Sequence, residues 1–387
     1  MKILMVCTSW RVFGAEAMSL NILSGLRERG HEVVAVTSTW TDGEFGRRLV
    51  SLGLREVRLP MGALVLRPSP RGLWWTANAL AYLPSVWRGF SRLAKSFRPD
   101  AVILTNPRQG LLLYPFLGRR PAFLIEHSDK AVNFPNRKMY RLLGRKLANF
   151  IATSDQMARH LSKLGVTPEK IRVIKIGAFS ETKLREVDQV AAARGREAGD
   201  VFRIGIAGQI SAHKGHDCLV QAAERLKARG RNFVVEVFGS GSTEYVERLK
   251  GKIAAAGLNG CWRWMGYESD LSRVYGNLDV CAVPSCFDEP FGMVAVEASA
   301  YGLPVIASRR GGLPEIVVDG ETGWLVTSDA PAELAAKLEW LMDDPVRARA
   351  MGDAGRRRVR ELFTIEKTAA EIESLLRGAV GGANQVS

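Results

Sequence analysis

Cysteine is scarce: five residues (Cys7, Cys218, Cys261, Cys281 and Cys286) are scattered along 387, and no two form a Cys-x-x-Cys pair. This odd, dispersed set excludes a disulfide scaffold and a zinc-ligand spacing, and reads as reduced, buried thiols of a reducing compartment. No stretch reaches the roughly 18 uninterrupted apolar residues that span a bilayer. The opening run, Ile3 to Cys7, is too short for a secretory leader and has no small-residue cleavage site after it. A cytoplasmic location is therefore expected, with the inner face of the plasma membrane as a peripheral site. Also missing are a Gly-x-Gly-x-x-Gly turn after either first strand and a Walker lysine motif, which weighs against nicotinamide, flavin and P-loop chemistry. Asp-x-Asp, which would seat a metal-bound diphosphate, does not occur, so no metal is expected.

Hydrophobic residues make up 47% and charged residues 24%, as in soluble globular chains with large cores, and the length suits two domains. The apolar run at residues 2–7, a helix from Met18 to Arg29 stopped by Gly30, and the run His31–Thr37 make a βαβ unit. A parallel sheet follows from that order. Further strands are expected at Ala101–Thr105, Ala122–Glu126, Phe150–Thr153 and Arg172–Ile176. The pattern fades into polar sequence and restarts at Phe202–Ala207, with strands at Phe233–Phe238, Cys261–Met265, Val280–Val283, Pro304–Ala307 and Gly323–Val326. The expected organisation is α/β with two doubly wound, Rossmann-like domains facing across a cleft. The first covers 1–182, a linker 183–200 and the second 201–365. A C-terminal helix and tail, 366–387, could cross back to the first domain. Such sheets bind ligands beyond the carboxyl ends of their strands.

Chemistry concentrates in Pro284-Ser285-Cys286-Phe287-Asp288-Glu289-Pro290-Phe291-Gly292-Met293-Val294-Ala295-Val296-Glu297. A strand leads into this loop and a helix begins near Gly292. Amides at a helix start attract anions, and a glycine there lets a ligand approach the backbone. Glu289 lies just outside the helix and Glu297 about one turn inside, so two carboxylates flank a phosphate-friendly end. That suits a ligand carrying both a diphosphate and hydroxyls.

Glu289 and Glu297, with seven residues between them that begin Pro290-Phe291-Gly292, resemble the Glu-x7-Glu motif of family-4 retaining glycosyltransferases of GT-B fold. The resemblance runs along most of the chain. It includes Gly14-Ala15-Glu16, Gly30-His31-Glu32-Val33, Gly208 through Lys214-Gly215, Gly239-Ser240-Gly241, Gly302-Leu303-Pro304 and Gly311-Gly312-Leu313-Pro314-Glu315. Carried over position by position, it implies that Glu289 bonds the donor sugar's hydroxyls and Glu297 the nucleotide ribose. Phe291, Gly292 and Met293 would offer backbone amides, and Lys214 would meet the diphosphate. Gly239 would make a tight turn near the nucleotide. His127, ending a strand in Leu124-Ile125-Glu126-His127-Ser128, matches the histidine that faces the donor sugar across the cleft. Gly14 would lie where the first domain's loop closes on the reacting phosphate or the acceptor. No cofactor is implied beyond the nucleotide diphosphate sugar itself.

Three positions depart from the family pattern. Gln209 stands where an arginine usually accompanies the lysine, so charge on the leaving group would fall more heavily on Lys214 and the helix amides. Ile176 replaces the usual Asn before Gly177, and Phe13-Gly14 replaces a doubled glycine. The resemblance implies transfer with retention, by same-face attack in which the leaving phosphate takes the acceptor's proton. A GT-B-fold nucleotide-sugar epimerase and a non-catalytic nucleotide-sugar-binding protein stay open as alternatives.

The net charge of +14 is unevenly placed. Residues 1–180 hold 28 Lys and Arg against 11 Asp and Glu, a net of +17, and the remainder, 26 against 29, is −3. Between Glu56 and Asp100 no acid occurs, while Arg58, Arg67, Arg71, Arg88, Arg92, Lys95 and Arg98 do, interleaved with Trp74, Trp75, Tyr82, Trp87 and Phe90. A second acid-free run between Asp129 and Asp155 carries Lys130, Arg137, Lys138, Arg141, Arg145 and Lys146. Basic stretches with tryptophan suit an anionic membrane face, and no module for nucleic acid accompanies them. In the glycosyltransferase frame the acceptor is expected to be a lipid-linked, phosphorylated or saccharide molecule. Pro84 argues against one unbroken helix through 73–93.

Overall fold

The computed structural model describes residues 1–8, 14–65, 69–128, 130–192 and 201–383. Arg67, Phe13, Asp129 and residues 193–200 of the expected linker lie outside them. The chain divides into a unit of residues 1–177 plus the segment from Ile365 onward, and a second unit, Ala178–Thr364.

In the first unit, aliphatic runs form β1 (Lys2–Val6), β2 (Glu32–Ser38), β3 (Arg55–Leu59), β4 (Ala101–Leu104), β5 (Ala122–Glu126), β6 (Asn149–Ala152) and β7 (Ile171–Val173). They pair in the order β3-β2-β1-β4-β5-β6-β7, and every pair is parallel. Strands β4 and β5 are buried at every residue, as a parallel sheet covered on both faces requires. β3 went unread in the sequence because three of its five residues, Arg55, Glu56 and Arg58, are charged, as suits a strand at the sheet's edge. β7 is shorter than the expected 172–176.

The helices are α1 (Gly14–Glu28), α2 (Glu44–Ser51), α3 (Pro70–Ala81), α4 (Leu83–Phe97), α5 (Pro107–Leu112), α6 (Phe134–Gly144) and α7 (Asp155–Lys163). Ser69, Asn106, Asn133 and Ser154 each accept a backbone N–H at a helix start, caps worth about 1 kcal/mol apiece. Pro84 sits in the first turn of α4, and the chain breaks at Tyr82 between two helices, as the proline requires.

The second unit begins with α8 (Glu181–Ala192), so residues 183–192 of the expected linker are helical instead. Its leucine and valine explain the difference: Leu184 and Val187 are buried. Strands β8 (Phe202–Ala207), β9 (Phe233–Phe238), β10 (Trp262–Gly266), β11 (Val280–Val283), β12 (Val305–Ser308) and β13 (Gly323–Val326) pair in the order β10-β9-β8-β11-β12-β13. This repeats the arrangement of the first six strands of the other sheet. Helices α9 (His216–Ala228), α10 (Thr243–Ala255), α11 (Leu271–Tyr275), α12 (Met293–Ala300), α13 (Leu313–Ile316), α14 (Pro331–Asp343) and α15 (Pro345–Leu362) complete it.

Last comes α16 (Ile365–Ala383), which belongs to the first unit. Of the helix and tail expected over 366–387, the helix runs on to Ala383. It packs on α1 so closely that a Cβ on Gly25 would stand 2.7 Å from Ile365 Cγ2 and 2.9 Å from Ala369 Cβ. Thr368 Oγ1 accepts from Gly177 N–H at 2.7 Å and donates to Lys175 O at 2.9 Å. Glu373 pairs with Arg29 and Arg377, which hold its carboxyl down at about 2. Replacing Gly25 with leucine should therefore overpack the helix seam and lower unfolding stability by about 1–3 kcal/mol. Urea denaturation of Gly25→Leu measures this, and unchanged stability would show that the seam is loose.

Candidate active site

Eight of the ten site residues expected from sequence fall in the second unit, on the segments that follow three of its strands. Gly208 and Gln209 follow β8, Gly239 follows β9, and the segment from Pro284 to α12 follows β11. β8 lies between β9 and β11, so these loops gather where the strand order reverses, the usual ligand position in such sheets.

Glycines let the loops touch. Gly239 has φ 140°, and a Cβ there would come within 1.8 Å of Gly208 O. A Cβ on Gly241 would lie 2.2 Å from Ile210 O, and Ile210 N–H donates to Ser240 O at 2.9 Å. The Gly239-Ser240-Gly241 turn therefore lies flat against Gly208–Ile210. Gly215, with φ 76°, would meet Pro284 O at 1.8 Å. Exposed Gln209 lies between these contacts, and its own carbonyl accepts from Ser211 Oγ at 3.4 Å.

These contacts bring Lys214 and Glu289 together from sequence positions 75 residues apart. Lys214 Nζ donates to Glu289 Oε1 at 2.6 Å, and the ammonium also stands 5.1 Å from the Phe287 ring centre. Ser285, fully buried, donates its hydroxyl to the same Oε1 at 2.7 Å. Cys286 N–H donates to His213 O at 2.7 Å, joining the two loops through their backbones. Burial and the Lys214 charge lower the pKa of His213. Glu289 itself is 7% exposed.

A second brace comes from the turn after β12. Gly312 N–H donates to Glu289 O at 2.7 Å, and Gly311, at φ 58°, would carry any Cβ to within 2.3 Å of Glu289 N and O. Arg310 donates through Nε to Asp288 Oδ1 at 3.0 Å and through a second nitrogen to Cys286 O at 2.9 Å. Phe291 is buried, with its ring 5.8 Å from Phe363. Gly292, at φ 124°, precedes α12 and has no side chain with which to cap it, while Met293 opens the helix. The amides of Phe291, Gly292 and Met293 thus stand at a helix N-terminus, where negative charge is favoured.

Glu297 lies one turn inside α12. Tyr275 donates its hydroxyl to Glu297 Oε2 at 2.9 Å. Burial raises the Glu297 carboxyl to about 7, and the tyrosine's bond offsets part of that rise. Ser285 belongs to the segment singled out in the sequence, though with no role given to it, whereas Tyr275 and Arg310 were not read from sequence. These two act from α11 and from the turn after β12, and nothing in their sequence spacing marks them.

In the first unit, His127 follows β5 and is partly buried, and desolvation lowers its pKa. Gly14 opens α1, is exposed, and has open space where a Cβ would stand, so its own unit does not demand a glycine. Among the described residues no three His, Cys, Asp or Glu side chains are grouped to hold a metal ion.

Residues 13–177 match the family described as "Glycosyl transferase 4-like domain", and residues 191–358 match "Glycosyl transferases group 1". The chain belongs to the family-4 glycosyltransferases of GT-B fold. Among similar proteins, a D-inositol 3-phosphate glycosyltransferase of Corynebacterium glutamicum is 32% identical over 60% of this chain and 58% of its own length. An MMP alpha-(1->4)-mannosyltransferase of Mycolicibacterium hassiacum is 32% identical over 63% and 57%. The chain thus spans little more than half the length of these curated relatives. In fold, it matches Anabaena HepE in complex with UDP-glucose, with a TM-score of 0.77 at 21% identity, over 98% of this chain and 100% of that one. Sucrose-phosphate synthase from Thermosynechococcus elongatus gives a TM-score of 0.77 at 22% identity, over 98% and 99%.

The raised Glu297 pKa carries a stability signature. The folded state holds the proton more tightly than the unfolded chain, so the stabilisation is complete below about 4.5 and is lost as pH rises through about 7. Relative to Glu297→Gln, the wild type should lose on the order of 3 kcal/mol of unfolding free energy between pH 4.5 and 8. Parallel pH dependences in urea unfolding would show that the carboxyl titrates normally.

Proposed function

We propose that this protein is a retaining glycosyltransferase that moves a hexosyl group from a nucleotide diphosphate sugar to an acceptor. That acceptor is a lipid-linked or phosphorylated molecule in cell-envelope or exported-polysaccharide synthesis. The observation that carries this reading is the Lys214–Glu289 pair, 2.6 Å apart, beside the uncapped start of α12 with Glu297 one turn further in. A cation and helix amides suit a diphosphate, and two carboxylates suit the hydroxyls on either side of it.

In this reading Lys214 and the amides of Phe291, Gly292 and Met293 take up the charge that develops on the departing diphosphate. Glu289 bonds the sugar hydroxyls and Glu297 the ribose hydroxyls, while Gln209 offers a neutral donor and Gly239 leaves room for the nucleotide. The acceptor oxygen attacks C1 from the face that the diphosphate leaves. The C1–O bond to phosphate breaks as the bond to the acceptor oxygen forms, and the acceptor's proton passes to the departing phosphate oxygen. Configuration at C1 is retained, and the protein supplies positioning and electrostatics rather than a base.

Support for a nucleotide donor comes from fold neighbours bound to UDP and UDP-glucose. The similar D-inositol 3-phosphate glycosyltransferases support a phosphorylated acceptor. A thermal-shift panel of UDP, GDP, UDP-glucose, UDP-N-acetylglucosamine and GDP-mannose tests the donor. A ligand at 100 times its Kd stabilises by about 2.7 kcal/mol, a readily measured rise in Tm. If none of the five raises it, the reading is wrong. Glu289→Ala should cut transfer by about 100-fold or more while nucleotide affinity survives. Release of free epimerised sugar without any acceptor would instead identify an epimerase.

The membrane part of the proposal rests on the first unit. No described helix is long and apolar enough to cross a membrane. On α3 and its junction with α4, Leu73, Trp74, Leu80 and Tyr82 are exposed, between 45% and 64%. Arg88, Arg92 and Lys95, spaced i, i+4 and i+7, line the exposed face of α4, opposite buried Val86, Phe90, Leu93 and Phe97. Arg88 Nε donates back to Pro84 O at 3.3 Å, which brings its cation toward the Tyr82 junction. Phe90 is thus core, and Trp87 is anchored by its Nε1–H to Leu112 O at 2.7 Å. An apolar ridge followed by a cationic stripe fits an anionic lipid surface, each charge contributing about 1 kcal/mol. Vesicles of phosphatidylglycerol, but not of phosphatidylcholine, should pellet the protein, and reversing Arg88, Arg92 and Lys95 to glutamate should weaken this on the order of 100-fold. Pelleting that ignores salt and these reversals would refute the assignment.

A further inference from the structure

Glu126 is the last residue of β5, fully buried, and has no part in the chemistry above. Its two oxygens are both engaged. Oε1 accepts the Ser128 N–H at 3.0 Å and the Ser128 hydroxyl at 2.6 Å. Oε2 accepts the hydroxyl of Tyr140, a fully buried residue of α6 whose ring lies 6.0 Å from that of Phe150. Three donors converging on one side chain fit a carboxylate, which only accepts. An apolar residue would fill the end of a buried strand at less cost, so a buried carboxylate here calls for a reason.

Residue 127 supplies one, because the bonds of Glu126 fall on its immediate neighbour and on the helix beyond. We infer that Glu126 is a positioning residue for His127, clamping the Glu126-His127-Ser128 turn to α6 so that the imidazole is presented in one orientation. This rests on the role that the motif match gives His127 in sugar transfer. The clamp ties the backbone on both sides of the histidine: Glu126 is held by pairing with Ala152 of β6, and Ser128 by two bonds to one oxygen. The charged groups that face His127 are Glu126, Glu16 of α1 and Lys130. The two carboxylates favour the imidazolium, and Lys130 and burial oppose it.

The test pairs imidazole NMR on the full chain with a double-mutant cycle. In Glu126→Gln, which keeps the shape, the His127 pKa should shift downward while His31, His160, His213 and His216 stay as references. Tyr140→Phe removes one donor and leaves the carboxylate, so it remains informative if Glu126→Gln fails to fold; it should move the His127 resonances alone. With the nucleotide sugar that the thermal-shift panel identifies, Tyr140→Phe and Ser128→Ala should each lower kcat about tenfold without changing donor KM. Neither should cost more in a His127→Ala background. Unmoved His127 resonances in all three variants, or kcat losses that persist undiminished in His127→Ala, would overturn the clamp. Wild-type turnover in His127→Ala would overturn the role given to His127, a result that the NMR titrations report separately.

Discussion

Backbone lying directly on backbone is the constraint on which the second unit's site depends. Four loops meet at three contacts with no side chain between them: Gly239 on Gly208, Gly215 on Pro284, and Gly311 on Glu289. At each, a Cβ would fall within 2.3 Å of a main-chain atom, far inside contact distance, and the φ values of 140°, 76° and 58° lie where glycine alone is unstrained. Because the loops cannot be pried apart, a lysine after β8 and a glutamate after β11 reach hydrogen-bonding distance. The bond from Cys286 N–H to His213 O and that from Gly312 N–H to Glu289 O fix the register of that approach. Ser285 and Arg310 act on a loop already seated, one on the Glu289 carboxylate and the other on the backbone before it.

Seen this way, much of the site was legible in the sequence because its glycines had to be there. Glycine doublets and Gly-x-Gly turns after aliphatic runs leave a mark that one chain can show, and the strands Phe202–Ala207, Phe233–Phe238, Val280–Val283 and Gly323–Val326 have the bounds read from their apolar runs. What could not be read depends on proximity in space. Tyr275 reaches Glu297 from α11, Arg310 reaches Asp288 from beyond β12, and Tyr140 reaches Glu126 from α6. None of these pairs has a fixed spacing, so none leaves a periodic or motif signal. The edge strand β3 and the helix α8 were missed for a different reason. Their few buried residues, such as Leu59 and Leu184, are diluted by charged neighbours until local composition reads as loop.

Charge divides along the same lines. The first unit's excess of cations lies on helix faces, where α4 sets Arg88, Arg92 and Lys95 opposite a buried apolar stripe. In the second unit most cations are paired, as Arg231 is with Glu339 and Asp343, and Arg360 with Asp188. Its net charge is near zero, and the site's positive character is local, made by one lysine and a helix end. The uneven division of the +14, rather than its total, therefore marks the face that suits a polyanionic surface, and it says almost nothing about the reaction.

In the free protein the Lys214 ammonium is already matched by Glu289, so the pair as a whole is close to neutral. With glutamine at the position where the family pattern has arginine, no second cation stands beside it on the β8 loop. Under the proposed function the diphosphate must then draw Lys214 partly away from Glu289, which releases the carboxylate toward the sugar's hydroxyls in the same movement. Donor binding and the arming of Glu289 become one event, and the amides of α12, whose alignment costs nothing at the moment of reaction, carry more of the leaving-group charge than they would beside an arginine.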